Sequence, residues 1–232
     1  EPSSPSRGGT TLLHLSDPTL PIGGYAHSYG LESYVQRGAV SSVESAKEFV
    51  ANSLRHNLKY NDGLYVRLAW EAARGGDFAA LDVFDEECSA IKSPVEIRTA
   101  SLKLGVRLLK IFNRNLSGEG VEALTRLTKR PNGGGHYPII YGSVAALAGL
   151  ELSETLLSFY YNSMVCMVTN AVKLIPLGQL SGQDIIFELE RELGGVVDET
   201  MELDPNMRGV CAVGFDIAAM QHERLYSRLY MS

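Results

Sequence analysis

The chain of 232 residues carries 27 Asp and Glu against 21 Lys and Arg, a formal net charge of -6. That balance argues against a nucleic-acid binder, which needs a surplus of cations to neutralise phosphates. Hydrophobic residues make up 45% and charged residues 21%, ordinary proportions for a globular protein whose length suits one domain with a single core. Three widely spaced cysteines, Cys88, Cys166 and Cys211, do not make a disulfide framework; in apolar helical contexts they read as reduced core residues of an intracellular, cytoplasmic protein.

In chain order, residues 1–10 have the Pro, Ser and Gly composition of a disordered tail without the apolar core of a signal peptide, which leaves 11–232 as one domain. Thr11 to Leu20 predicts a short helix, halted where Pro18 and Pro21 remove backbone donors and Gly23-Gly24 permits angles closed to other residues. Tyr25, His27, Tyr29 and Glu32 crowd this break, and Ser28 is placed to cap a helix from Ser28 to Arg37 that Gly38 ends. Ser41-Ser42-Val43-Glu44 reads as a capping box opening a helix to about Lys59, and Asn61-Asp62-Gly63 as a turn. Helices are expected over Leu64 to Arg74 and Asp77 to Ile91, separated by Gly75-Gly76. Ser93-Pro94-Val95-Glu96 combines a cap, a first-position proline and a third-position Glu, and starts a helix expected to run from Pro94 to Arg114. Along it Lys103, Arg107, Lys110 and Arg114 form a basic stripe, which is either a solvated face or a docking surface for an acidic partner.

Gly118 to Lys129 is a further helix, Pro131 to Gly135 an irregular loop, and His136-Tyr137-Pro138 opens a small-residue helix over Ile139 to Leu150. Gly142, Ala145, Ala146 and Gly149 on that helix allow close approach, either of a second copy in a homodimer or of the chain's own helices. Thr155 to Val172 contains no charged residue, but Asn162, Ser163, Thr169 and Asn170 make a lipid-facing span costly, so it reads as the central buried helix of a bundle. Pro176 and Gly178 break it, Ser181 to about Gly194 forms another helix, and Asp204-Pro205 starts a last helix running toward the C-terminus. No run alternates as a strand would, and the fold class is all-α, a single-domain bundle of about ten helices.

The chemistry of common enzymes is missing. There is no G-x-S-x-G elbow, no phosphate loop ending in Gly-Lys-Ser/Thr, no closely spaced Cys pair, and the histidines His14, His27, His56, His136 and His222 are scattered. No cofactor is expected. Two readings follow: a protein that works by contact, or a small helical enzyme with a pocket built from Tyr25, His27, Glu32 and Glu223.

Four stretches in order carry a resemblance. Leu20-Pro21-Ile22-Gly23-Gly24-Tyr25 with His27-Ser28-Tyr29-Gly30-Leu31-Glu32, the His136-x-Pro138 loop, Asn170-Ala171-Val172-Lys173-Leu174-Ile175-Pro176-Leu177-Gly178-Gln179, and His222-Glu223-Arg224-Leu225-Tyr226-Ser227-Arg228-Leu229-Tyr230 resemble the motifs of UreF, the urease accessory protein family. Gly133-Gly134-Gly135 is longer than the family loop needs. The resemblance implies an all-helical, dimeric, non-catalytic protein that bridges UreD (also called UreH) and the GTPase UreG in the complex delivering nickel to apo-urease. It gives Pro21, Gly23, Gly24, Pro176 and Gly178 structural turn roles, and makes Tyr25 and His27 part of a surface for UreG. Lys173 becomes a charge held by helix-end carbonyls or a snorkelling side chain, Glu32 an anchor of the turn, and both are counted with Tyr25 and His27 among the partner-binding residues. His222, Glu223, Tyr226, Ser227, Arg228 and Tyr230 become partner-binding residues, on a C-terminal helix that is mobile alone and orders on UreD.

Overall fold

Local signals along the chain resolve into helices wherever apolar spacing and a terminus agree. The computed structural model describes residues 7–231, with the side chains of residues 7, 8 and 25 outside the described set. In order come α1 (Arg7–Leu15), α2 (Leu31–Gln36), α3 (Val43–Asn52), a π-helical segment (Ser53–Gly63), α4 (Leu64–Gly75), α5 (Phe78–Ile91), α6 (Val95–Phe112), α7 (Glu119–Thr128), α8 (Tyr137–Leu147), α9 (Leu152–Leu174), α10 (Gln179–Glu202) and α11 (Val213–His222). Short 3-10 turns occupy Gly24–Ala26 and Pro205–Met207, and no strand occurs among the described residues. Of the expected tail, residues 1–6 lie outside the described residues, while Arg7 to Thr10 are already in α1.

The core is centred on α8. Every residue from Pro138 to Ala146 is buried, and α4 and α6 both pack against it. A Cβ built on Gly142 would collide with the Val66 carbonyl of α4 and lie 3.1 Å from the Trp70 nitrogen, so the two backbones touch there. Gly105 of α6 similarly meets the Gly135 carbonyl. The small-residue stripe therefore serves packing within the chain, which corrects the expectation that Ile139 to Leu150 is a dimer face. The loop before α8 is held by Asp85 of α5, whose carboxylate accepts the Gly135 amide at 3.0 Å and the His136 amide at 2.6 Å. A side chain fifty residues away thus caps this helix and fixes the triple-glycine loop.

Helix α9 packs against α10 and also meets α1, α3 and α8, burying Leu156, Phe159, Tyr160, Met164, Met167, Val168 and Ala171. It is not surrounded, however: Leu157 is 46% and Tyr161 38% exposed, so the expectation of burial on all sides is corrected. An uncharged face proved compatible with solvent because no neighbour crosses that stripe.

Other boundaries differ for identifiable reasons. Gly30 and Tyr29 have left-handed backbone angles (φ 83° and 53°), so α2 starts at Leu31 rather than Ser28. The capping box sits one residue later than expected, between Ser42 and Ser45. Asn61-Asp62-Gly63 is no turn but the end of the π-helical segment, where the Leu64 amide bonds the Lys59 carbonyl five residues back. Lys92 draws the stretch inward through Asp62 (2.8 Å), and the missing side chain of Gly63 makes room for the Tyr160 ring. Helix α10 continues through Gly194-Gly195 to Glu202. Cys88 is buried and Cys166 partly so, but Cys211 is exposed and outside any helix, against the core reading.

Candidate functional site at the junction of the N-terminal turn and the C-terminal segment

Three of the four motifs converge on one place. The proline turn is closed by Asp17, whose Oδ1 accepts both the amide (2.8 Å) and the hydroxyl (2.7 Å) of Thr19. The left-handed angle of Gly23 (φ 90°) then starts the 3-10 turn containing Tyr25, whose side chain lies outside the described residues. Gly30 is obligatory for packing too: a Cβ there would stand 3.2 Å from the Ala219 nitrogen of α11. Ser33 seals this crossing by donating to the Ala218 carbonyl at 2.8 Å.

These turns point Glu32 into the interior, where it is 3% exposed. Its Oε2 lies 3.0 Å from His222 Nε2, and its two oxygens accept the Leu229 amide at 2.7 Å and the Tyr230 amide at 3.1 Å. The other ring nitrogen of His222, Nδ1, lies 2.7 Å from Glu96 Oε2, and Arg228 donates to Glu96 Oε1 at 2.7 Å. Met231 donates to the Ala26 carbonyl (2.9 Å) and Gln36 to the Ser227 carbonyl (2.9 Å). Two carboxylates from α2 and α6 thus hold the C-terminal segment through charge-assisted bonds, the stronger kind.

This arrangement corrects several expectations. The segment after His222 is an irregular strap packed on the turn rather than an uncovered helix, because the amides of Leu229, Tyr230 and Met231 are spent on Glu32 and the Ala26 carbonyl. His222 and Tyr230 are buried, so neither offers a docking surface. His27 is buried as well, and its carbonyl accepts Asn170 Nδ2 at 2.8 Å, which ties the third motif to the first. The Glu32 carboxylate, expected to anchor the turn, instead bonds His222 and the Leu229 and Tyr230 amides and so anchors the strap. Exposed are Glu223, Tyr226, Ser227, Arg228 and Lys173, together with Pro21, Pro176 and Gly178. Gly23 and Gly24 are partly buried. The pocket imagined for a helical enzyme does not assemble: Glu223 faces solvent, and both Glu32 oxygens already accept the protein's own donors.

Two clamp components escaped sequence reasoning. Glu96 fits a local capping pattern so well that nothing suggested its carboxylate turns instead to His222 and Arg228. Asn170 was one uncharged polar residue in a long run, with no sign that it reaches the turn. The His136 motif stands apart from the clamp, its ring between Ser101 Oγ (3.1 Å) and Ser89 Oγ (2.8 Å). It borders a cavity of about 350 Å³ lined among others by Tyr29, Asp62, Lys92, Tyr137, Asn162 and Cys166, where burial pushes both phenols and the thiol above their ordinary values and keeps these three groups protonated.

Burial dominates the basicity of two motif histidines. His27 is lowered from 6.5 to about 4, chiefly by desolvation and then by Lys103 and Arg107; His136 is lowered to about 3, by desolvation, Lys92 and Arg98. Folding therefore costs both rings affinity for protons, and the unfolded chain binds more of them below pH 6.5. Stability is fully present above that value and is lost as pH falls toward the folded values, while Asp85, raised by burial, opposes this in part. From pH 7 to pH 5 the unfolding free energy should drop by about 2 kcal/mol or more. Urea titrations at the two pH values measure it, and equal midpoints with equal slopes would contradict the burial of these rings.

Among the described residues no cluster of three or more His, Cys, Asp or Glu is placed to hold a metal ion, and no helix is long and apolar enough to cross a membrane. The family model for UreF matches residues 40–190. The urease accessory protein UreF of Actinobacillus pleuropneumoniae serotype 3 (strain JL03) is 46% identical over 221 residues, covering 95% of this chain and 97% of that protein. The UreF of Haemophilus influenzae (strain PittGG) is also 46% identical, over 95% and 94% of the two chains. The UreF of Arthrobacter sp. (strain FB24) is 33% identical over 95% and 96%. With the turn, the Asn170 stretch and the C-terminal strap joined in one clamp and likeness of this extent along nearly the whole length, the chain belongs to the UreF family of urease accessory proteins.

Proposed function

We propose that this protein is a non-catalytic urease maturation factor that bridges UreD (UreH) and the GTPase UreG, in the cytoplasmic complex that delivers nickel to apo-urease. The observation that carries the reading is the C-terminal strap. It is fixed from beneath by Glu32 and Glu96, and it presents Tyr226 (106% exposed), Leu229 (66%) and Met231 (57%) outward. Aromatic and cationic side chains on a backbone pinned to a rigid base suit a docking element, since little backbone freedom remains to be lost on binding. The His222 and Glu223 motif then divides its labour: His222 builds the base from inside, and Glu223, Tyr226, Ser227 and Arg228 face a partner. A homodimer remains part of the proposal, through faces other than the buried α8.

Pull-downs with UreD and UreG, separately and together, test the bridge. Removing residues 226–232 should leave helicity intact and weaken assembly by about 2 kcal/mol or more, roughly 30-fold. Tyr226→Ala should reproduce part of that loss without touching the clamp, because the ring has no contact to lose within the chain. Unchanged recovery of both partners after truncation would remove the strap as docking element, and GTP turnover by the purified chain alone would favour an enzyme instead.

A further inference from the structure

On the outer face of α6, Lys103, Arg107 and Lys110 fall at i, i+4 and i+7, and Arg114 follows in the turn just past Phe112; all four are exposed. At 1.5 Å per residue the three helical positions span roughly 10 Å. Eight other Lys and Arg side chains each engage a carboxylate of the chain, yet among the described residues no ion pair reaches this row. The chain has 27 acidic residues, and the one acidic residue on α6, Glu96, is turned toward His222 and Arg228. Like charges one turn apart weaken a helix by a few tenths of a kcal/mol per pair, so the row is a standing cost in a protein otherwise rich in counter-charge.

The row is also built into the clamp region. Arg107 Nη1 donates to the Ile22 carbonyl at 2.8 Å, and a Cβ on Gly23 would lie 2.5 Å from the same nitrogen, so the turn is shaped around this guanidinium. Lys103 and Arg107 are close enough to His27 to add to the loss of its basicity. Beside that turn the strap is pinned by the bond from Met231 to Ala26, with the Leu229 and Met231 side chains exposed. One turn, Ile22 to Ala26, therefore joins the cationic row through Arg107 to the strap through Met231, on a molecule whose net charge is -6.

We propose that the α6 row and the strap tip form one docking face for a carboxylate-rich protein surface that carries apolar side chains beside its acidic groups. A short acidic patch is met by local cations at contact range, whereas the long-range field of a net anionic chain repels extended polyanions such as nucleic acid and anionic membranes. The face works by steering and register: the cations orient the partner, and the strap tip supplies the buried contact. This inference rests on the contact-protein reading above and names the chemistry of the partner it recruits.

The test uses the full chain with Lys103→Glu, Lys110→Glu and Arg114→Glu combined; Arg107 stays, because it holds Ile22. Binding is measured at 50 mM and 300 mM salt against purified UreD, UreG and apo-urease, alone and combined. The expected result is a loss of affinity of about tenfold or more for one of these proteins at low salt, mostly in the association rate and shrinking at high salt. Should charge reversal lower helicity, the triple Gln variant carries the same test with a smaller expected loss. Affinities and salt slopes unchanged for every partner, while truncation of residues 226–232 still weakens assembly, would overturn the docking face and leave the bridging function standing. Row-dependent binding of a 20-nucleotide single strand or of phosphatidylserine vesicles, with no effect on the proteins, would overturn it as well. Insensitivity to both the reversal and the truncation would overturn the face and remove the strap as a docking element, whereas failure of the unaltered chain to recover UreD and UreG together would overturn the bridging reading.

Discussion

Gly142→Ala is expected to destabilise the protein by about 3 kcal/mol or more, a large share of the roughly 5–15 kcal/mol that holds a domain folded. The added methyl would overlap the Val66 carbonyl and crowd the Trp70 nitrogen, and both belong to the backbone of α4, which has no rotamer to change. Accommodation means moving α4 and α8 apart along their length, which opens voids around Ile139, Tyr141 and Val144 and forfeits dispersion contacts with them. Gly194→Ala provides the control. It lies within α10 with open space where its Cβ would go, so it should stabilise by about 0.4–1 kcal/mol through loss of freedom in the unfolded chain. Urea midpoints for the pair decide the matter, and a Gly142→Ala variant as stable as the parent would mean the two helices are not in backbone contact.

Glu32→Ala is expected to release the strap at a cost of about 3 kcal/mol or more. The carboxylate receives two amides and faces His222, so its removal strands three polar groups, with Tyr230 and His222 both buried. The damage should stay local: α4 and α8 share no residue with the clamp. Hydrogen exchange at Leu229 and Tyr230 should become fast and limited proteolysis should cut after residue 223, while amides of α8 stay protected. Protection of Tyr230 equal to that of the parent would remove Glu32 as the anchor. Glu96→Gln should produce a weaker version, since it leaves the Glu32 bonds in place and forfeits only the charge facing His222 and Arg228.

The helical character of the chain was legible because caps, glycines and apolar spacing act within one turn of helix. The end of α4 at Gly75 is local and lies within a residue of expectation; α6 starts at Val95, one residue later than expected, with Pro94 as its N-cap in place of Ser93 and no side-chain cap bond. What escaped depends on distant partners. Asn61-Asp62-Gly63 has turn composition, yet Lys92 and Tyr160 hold it helical. Gly194-Gly195 would end an isolated helix, but α10 lies along α9 and passes through them. The small-residue stripe of α8 announced a close approach without saying to what, and the answer was α4. At the site, the motifs identified Glu32 and His222, whereas their joining through Glu96 depends on α2, α6 and α11 meeting in space, which periodicity along one helix does not encode.

The clamp also has a temporal side. Glu32 meets His222, Leu229 and Tyr230 across separations of 190, 197 and 198 residues, among the most distant contacts a chain of 232 residues can form. Contacts of such long range require nearly the whole chain to be gathered first, so they form slowly and late. Until then a carboxylate destined for burial waits without its donors. Assembly of the bundle around α8 can precede it, because α4, α6 and α8 are much closer in sequence. The strap is therefore the last part of the molecule to be seated, and its seating reports that the rest of the chain has already folded.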